Sequence, residues 1–484
     1  MKTYLTVYLG STMLAVATTA MMIHIARRLQ IVDMPGVRKI HSQPVPRIGG
    51  VAIFVSMIGL VIPVLLLHNF IGQTFRLLQF KIVTMLGAGA LMFLVGLVDD
   101  IRGLRVRTKL AAQLAAALLV CAAGIRIESI PITSSYTLQF GWFSWLFTLV
   151  WIIGITNAIN LSDGLDGLAA GISAIACGVI AVLAIHGGDI VMAILMLALL
   201  GSLSGFLLFN FEPAKVFMGD SGSLFLGFTI ASASVLSATK TETIVGLALP
   251  ILALGIPIFD TLFSMLRRFL ERRSMFAPDR SHFHHRLLAL GLRQRHVVLT
   301  AYFVTLLAAG LGMFMLVTRN NQAIIIFLCT LLLLVLMFHL VGSVRLGEIV
   351  DGLRQKYSIS SQKKQELETF EHIELHFRRA RGFEEWWQAV CFAADEMGFV
   401  SSSLPLTNRD GSKRILSWEK NNGSVPREEI LRMTVPVHDP RAGSSVSVEV
   451  QVHANGSLES AGRRVAIFAG LMVQHCLAAL KDKR

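Results

Sequence analysis

Residues 81–100 read KIVTMLGAGALMFLVGLVDD. Nothing between Ile82 and Val98 is charged, and then two aspartates stand side by side. A run of this kind approaches the ~20 apolar residues a helix needs to cross ~30 Å of hydrocarbon. The rest of the chain repeats the pattern, with apolar runs near residues 4–26, 49–68, 81–98, 109–125, 142–161, 167–186, 190–209, 221–237, 243–265, 297–318 and 322–342. Of all residues 54% are apolar and 15% charged, whereas a soluble domain carries roughly a quarter charged residues. An ordinary soluble protein is therefore excluded. The sequence predicts an all-α polytopic membrane protein of about 11 transmembrane helices over residues 1–342, a juxtamembrane linker over 343–362 and a small cytoplasmic α+β domain over 363–484. The first run is read as a retained span, because Lys2 alone makes a weak signal-peptide n-region and no small-residue cleavage site follows it.

A formal net charge of +13 suggests nucleic acid until it is divided along the chain. Residues 1–342 hold 24 Lys and Arg against 13 Asp and Glu, while residues 343–484 hold 20 against 18. The excess lies between membrane spans, so no nucleic-acid partner is implied. With the N-terminus outside, 18 of those 24 cations fall on the inner side, among them Arg27, Arg38, Arg47, Arg107, Lys109, Lys215 and eight arginines from Arg267 to Arg295. The positive-inside rule then orients the chain N-out, and eleven spans put the tail in the cytoplasm. Five scattered cysteines, with no CxxC pair, give neither a disulfide framework nor a thiolate metal site.

In this topology the polar clusters all fall on the inner face: Arg38 to Gly50, Asp99-Asp100, Asn157 to Gly167, Asn210 to Gly222 and Asp279 to Arg286. A transporter needs polar sites near the midplane and access from both faces; this chain concentrates polarity at one interface. Asp99 and Asp100 close a helix, where the macrodipole favours cations by roughly 0.3–1 kcal/mol, so they ask for a cationic partner. Arg102, Arg105, Arg107 and Lys109 supply one, and a divalent metal or a proton-transfer role would use the same carboxylates. In the string Asn157 to Ala169, Asp163 or Asp166 would serve as a helix cap, but one cap does not need two aspartates, two asparagines and two glycines. Asn157, Asn160, Asp163 and Asp166 suit a polar ligand such as a nucleobase or sugar. Asp220, in Phe217-Met218-Gly219-Asp220, starts another helix. Three acidic sites at the inner ends of the third, sixth and eighth spans would converge if those helices pack together, and magnesium is commonly held by one or two carboxylates plus phosphate oxygens. The loop with Arg280, His282, His284 and His285 lacks the partners for a tetrahedral zinc site. An anion site or a solvated basic loop remains.

Together these strings resemble the polyprenyl-phosphate N-acetylhexosamine-1-phosphate transferase family. The likeness runs over roughly residues 30–290: Arg38-Lys39 through Gly49-Gly50, Val98-Asp99-Asp100 with Arg107-Thr108-Lys109-Leu110, Asn157 through Ala169, Phe217 through Gly222, and His282-Phe283-His284-His285. The resemblance implies a bacterial inner-membrane enzyme that moves a sugar 1-phosphate from a UDP-N-acetylhexosamine to undecaprenyl phosphate, with Mg2+ and release of UMP. It implies that Asp220 binds magnesium, that Asp99 acts on the acceptor phosphate as base or nucleophile, and that Asp100 is its metal-side or positioning partner. Asn157, Asn160, Asp163, Asp166, Asn210 and Phe217 would line the uridine and sugar site. Lys109 would meet the lipid phosphate, and Arg280, His282, His284 and His285 the donor phosphates. The form of the histidine string resembles the branch that uses UDP-GlcNAc and related small amino sugars rather than UDP-MurNAc-pentapeptide. Two other classes compete: a catalytically lapsed membrane anchor, which four intact aspartates argue against, and a lipid-linked sugar flippase, for which the spans are read as lacking interior charges, each costing at least ~2.5–3.5 kcal/mol.

Beyond residue 342 only patterns guide the reading. Residues 361–397 read as helical, 413–420, 429–438 and 445–453 alternate like strands, and 458–481 reads as a helix burying Val465, Ile467, Phe468, Leu471, Met472 and Cys476. Asn421-Asn422-Gly423, Pro436 and Pro440 punctuate the strands. This predicts a small GAF-like module that regulates the enzyme or docks later glycan-assembly enzymes.

Overall fold

The computed structural model describes residues 2–33, 44–66, 70–133, 136–238, 245–270, 282–316, 318, 320–341, 370–407, 412–420, 430–437, 446–453 and 458–475. The chain divides into two compact units, Met1–Val350 and Asp351–Arg484. The first unit is helical: α1 (Lys2–Arg28), α2 (Gly49–Leu66), α3 (Phe70–Arg102), α4 (Val106–Ala122), α5 (Phe143–Ser162), α6 (Leu168–His186), α7 (Ile190–Asn210), α8 (Gly219–Ala238), α9 (Val245–Ala253), α10 (Gly255–Leu270), α11 (Phe283–Ala289), α12 (Gln294–Phe314) and α13 (Asn320–Leu340). A two-residue pair, β1 (Val32–Asp33) with β2 (Val45–Pro46), and a hairpin, β3 (Ser129–Thr133) with β4 (Tyr136–Gln139), complete it.

Among the described residues, nine helices are long and apolar enough to cross a membrane, and a bent pair raises the number to 10. Two of the expected spans differ. The run at 109–125 is α4, whose 17 residues fall short of the others and carry Arg107 and Lys109 in the first turn. The run at 243–265 is broken into α9 and α10, which meet at 74°. Pro257, at the third position of α10, has no N–H to offer the carbonyl of Ala253, and its ring crowds that carbonyl, so the helix bends sharply about Leu254.

At the centre lies α8, buried along nearly its whole length and packed against α2, α3, α5 and α6. Lipid tails give helices no hydrophobic reason to associate, so close backbone approach over small residues carries the packing. Gly201 and Gly205 of α7 lie on the backbone of α1 at Tyr8 and Thr12, Gly50 lies on Gly222, and Gly96 of α3 lies on the backbone of Asp220 and Ser221.

The second unit holds a helical stretch at 370–379, the helix Phe383–Glu396, four strands and the helix Leu458–Gln474. The strands are β5 (Phe399–Thr407), β6 (Lys413–Glu419), β7 (Ile430–Val437) and β8 (Val446–His453), antiparallel in the order β6-β5-β8-β7. The three expected strands are present, but β5, which pairs with both β6 and β8, was not expected. Its Ser-rich sequence and Pro405 disguise it. Pro405 is tolerated because β5 pairs with β8 only as far as Ser403, so beyond that point one side carries no neighbour. Val465, Phe468, Leu471 and Met472 are buried as expected, against Phe399, Leu404 and the valines of β7 and β8. Cys476, Pro440 and the Asn421-Asn422-Gly423 turn lie outside the described residues.

A methyl group on Gly96 would meet the backbone of Asp220, which cannot rotate away, whereas one on Gly87 of the same helix meets nothing within 4 Å. Gly96→Ala is expected to destabilise the detergent-purified protein by about 1–3 kcal/mol, read as a lowered thermal midpoint. Gly87→Ala should leave the midpoint unchanged or raise it.

Candidate active site

The site begins with two carboxylates that end α3. Asp100 is completely shielded from solvent, and its two oxygens accept the backbone N–H groups of Asp220 at 2.8 Å and Ser221 at 2.9 Å. These are orphan donors at the start of α8, so Asp100 caps a helix other than its own. Gly219 enters that helix at φ +74° with its Cα against the Asp100 carboxylate, a position with room for no side chain. The cap brings Asp99 and Asp220 together. Lys109 Nζ, one turn into α4, lies 2.8 Å from Asp99 Oδ2 and 2.8 Å from Asp220 Oδ2. Asp99 Oδ1 accepts the N–H of Leu104. From the loop before α2, Arg47 reaches Asp100 and Asp220, at 3.4 Å each. Burial works against the Arg47 charge, but Asp100, Asp220 and Asp33 outweigh it and hold its pKa above the ordinary arginine value.

A cavity of about 860 Å³ opens beside this cluster, lined in part by Arg27, Arg47, Asn160, Asp163, Asp166, Glu212, Lys215, Phe217, Asp220 and His285. Its wall gathers the C-terminal ends of α1, α5 and α7 and the N-terminal ends of α8 and α12. Alternate helices thus deliver opposite ends to one face. Asp166 accepts the N–H of Ala214 at 2.9 Å, and Asn210 accepts from Gly167 at 3.1 Å while donating to the carbonyl of Val216 at 2.9 Å. These bonds lock the turn before α6 to the loop before α8. Asn160 donates to Ser223 at 2.8 Å. Burial, then the charges of Asp220 and Asp100, push the Asp163 carboxyl well above the usual carboxylate range, and Arg47 only partly counters them.

The histidine string forms α11 and its cap. His282 Nδ1 lies 3.1 Å from Asp260 Oδ2, and Phe283 N donates to Asp260 Oδ1 at 2.7 Å. The His284 ring stacks on His282 and lies against Gly164. Burial lowers its pKa to about 4, with Asp260 opposing and His285 and His282 adding to the shift. His285 is the member that lines the cavity.

The sequence-predicted residues therefore separate. Asn160, Asp163, Asp166, Asn210, Phe217, Asp220 and His285 meet in the cavity wall. Asp99 and Lys109 join them through Asp220. Asp100 acts as the cap that joins α3 to α8. Asn157 stands apart from the lining, in an amide pair with Gln113 of α4 at 2.7 and 3.3 Å. His282 and His284 are buried behind His285, and Arg280 lies outside the described residues. Sequence reasoning did not single out Glu212, Gln113, Gln294 or Asp260, and it took Arg27, Arg47 and Lys215 only as topology charges. Asp260 also corrects the reading that the spans lack interior charge, since it falls inside the run at 243–265. That position was itself the missed signal.

Residues 82–238, which supply most of this constellation, match the profile of glycosyl transferase family 4. The chain is 40% identical over 300 residues to a probable undecaprenyl-phosphate N-acetylglucosaminyl 1-phosphate transferase of Bacillus subtilis, a match that covers 61% of this chain and 80% of that protein. The chain belongs to this family of polyprenyl-phosphate N-acetylhexosamine-1-phosphate transferases. The transferase is also 36% identical over 314 residues to a decaprenyl-phosphate N-acetylglucosaminephosphotransferase of Mycobacterium tuberculosis, covering 59% of this chain and 76% of that one. It is 35% identical over 289 residues to a phospho-N-acetylmuramoyl-pentapeptide-transferase of Shouchella clausii, covering 56% and 82%.

His284 of the transferase gives a pH prediction. Its folded-state pKa lies near 4 against 6.5 when free, so between those values the unfolded chain binds the additional proton. Stability is expected to fall as pH drops from 6.5 toward 4, by on the order of 3 kcal/mol, and then to level off. In thermal melts across that range, His284→Gln should show a smaller fall than the wild type.

Proposed function

We propose that this transferase moves N-acetylglucosamine 1-phosphate from UDP-GlcNAc to undecaprenyl phosphate, releasing UMP, as the first step of lipid-linked cell-surface glycan synthesis. The observation that carries the proposal is the Asp99–Lys109–Asp220 bridge at the edge of a polar cavity that alternate helix ends bring to one face. A lipid phosphate and a soluble nucleotide sugar can meet only where apolar and aqueous phases adjoin, and the helix ends gathered around the cavity support that position for it. The names of the relatives from Bacillus subtilis and Mycobacterium tuberculosis support the donor, and the first-named also supports the acceptor.

In the proposed reaction an oxygen of the lipid phosphate attacks the sugar-bearing phosphorus of the donor. The bond from that phosphorus to the bridging oxygen breaks, and UMP leaves with the oxygen. Lys109 and Arg47 counter the phosphate charge, and Asp99 takes a proton from the acceptor phosphate. Asn160, Asp163, Asp166 and Phe217 hold the uridine and sugar, with His285 on the donor phosphates. The donor set also fits magnesium. Lys109 Nζ marks a cation position shared by two carboxylate oxygens, and these hard ligands suit an ion whose remaining sites go to phosphate and water. Asp220, with Asp99 beside it, would hold the ion. When bound, magnesium would neutralise charge on the diphosphate.

We place the cavity on the cytoplasmic face of a bacterial inner membrane. The nine long helices, the bent pair and α4 serve as crossings, and α4 must cross because both α3 and α5 end at the cavity. The inward bias of basic residues supports the orientation. Residues 343–362 act as a linker, and residues 363–484 as a GAF-like regulatory or docking domain, an analogy of fold alone.

The test is incubation of purified protein with undecaprenyl phosphate, magnesium and UDP-GlcNAc, UDP-GalNAc or UDP-MurNAc-pentapeptide, scoring UMP. UDP-GlcNAc should be preferred and chelator should stop the reaction. Asp99→Asn and Asp220→Asn should each lower the rate by at least about 10²- to 10³-fold. Preference for the pentapeptide donor would overturn the proposed substrate, and activity in excess chelator the metal. A chain ending at residue 342 should insert and keep its transferase activity, because every residue proposed for the site precedes that point.

A further inference from the structure

Asp260 lies in α10, outside the segment that matches the family profile. It is 7% exposed, and both its oxygens are engaged: Oδ1 by the N–H of Phe283 at 2.7 Å, Oδ2 by Nδ1 of His282 at 3.1 Å. His282 occupies the capping position of α11 but its own side chain makes no cap bond, so Asp260 performs that role from another helix. A carboxylate in contact with Nδ1 also fixes the tautomer, putting the ring proton on Nδ1. From there the order passes along α11. His282 stacks on His284 with ring centres 5.7 Å apart, His284 contacts His285 at 4.4 Å, His284 abuts Gly164, and His285 enters the cavity wall.

We propose that Asp260 is a positioning residue for donor binding, acting through His282 and the start of α11 to hold His285 in the cavity wall. The inference rests on the donor reading of the cavity given above. The Asp260 carboxylate bonds His282 and Phe283, neither of which is in the cavity wall, so its effect should fall on the nucleotide-sugar side of the reaction, through His285. Asparagine at this position can still accept from Phe283 but presents its amide N–H groups, or no charge, to His282; alanine loses both bonds.

The experiment uses full-length protein and measures UDP binding by calorimetry together with KM for UDP-GlcNAc, KM for undecaprenyl phosphate, and kcat. Asp260→Ala is expected to weaken UDP binding and raise the donor KM by about 10- to 100-fold, the range for losing hydrogen bonds to a charged group. The acceptor KM and kcat should stay within about threefold. His282→Ala should behave alike, and Asp260→Asn combined with His282→Ala should be no worse than His282→Ala alone, because both act through one contact. Should Asp260→Ala not fold, Asp260→Asn, nearly isosteric, carries the test. Unchanged donor affinity in a folded Asp260 variant overturns the proposal, as does an equal loss of donor affinity, acceptor affinity and kcat, which would mark a merely structural role. Wild-type protein that binds UDP but turns over no UDP-N-acetylhexosamine would sink the proposed function and leave Asp260 to be judged by UDP binding. Wild-type protein that binds no UDP overturns both.

Discussion

A carboxylate that neither water nor lipid can reach has to find donors inside the protein, and for Asp100 the donors are the first N–H groups of α8. Each side of that arrangement needs the other. Without Asp100 the start of α8 would hold unsatisfied N–H groups in a dry interior, and without α8 the Asp100 carboxylate would keep Arg47, at 3.4 Å, in place of its two closest donors. Because the cap spans two helices, it sets the separation of α3 and α8 at their ends. The separation is small enough that Gly96 and Gly219 have no room for a side chain. Asp99 precedes the capping residue and Asp220 follows the capped glycine, so the same contact puts two further carboxylates on opposite sides of Lys109. The chemistry of the site is thus a by-product of how two helices are joined.

The device recurs where Asp260 caps α11, and between the two caps lies the electrostatic problem the cavity has to solve. Asp99, Asp100, Asp163, Asp166 and Asp220 crowd one region, answered there by Arg47 and Lys109. Burial first, and then the charges of Asp220 and Asp100, raise the Asp163 pKa, and Arg47 counters them only in part. Carboxylates crowded in this way repel an anion unless a cation lies between them. Arg27, Arg47 and Lys215 line the same cavity and, in the proposed function, would give the phosphate oxygens partners of the opposite sign, with His285 as a hydrogen-bonding group beside them. The cavity wall thus carries acidic and basic side chains together, the combination that the proposed diphosphate donor with its cation requires.

How much of this was legible in the sequence follows from what kind of contact each residue makes. The spans were readable because apolar runs are local, and the acidic clusters because Asp residues at helix ends stand out against hydrocarbon. The break at Pro257 was less visible, since the apolar run continues unbroken across it. Asn157 looked like a ligand residue from its neighbours in the string, but its partner Gln113 lies 44 positions away on another helix, and no local pattern announces such a pair. Asp100 and Asp260 are the instructive cases. As side chains they read as candidate chemistry or as nothing, and their function as caps depends on which helix start is brought to them. In the second unit β5 was hidden for a related reason: its serines and Pro405 are poor strand signals, and only the neighbours β6 and β8 make it central.

Inside the bundle the polar groups behave differently from those at its end, and the difference explains why chemistry is confined to one face. Several buried hydroxyls of the helices turn back on their own carbonyls, as Thr156 does to Ile152 and Ser202 to Ala198, and Ser234 also accepts the indole N–H of Trp151 from a neighbouring helix. Such bonds satisfy the groups without creating a place for substrate. At the helix ends the backbone itself has unpaired donors and acceptors, and these must be met by side chains from elsewhere in the chain. Helix ends are therefore where the architecture calls for polar side chains, and at the cavity Asp100, Asp166 and Asn210 answer that call from other elements of the chain.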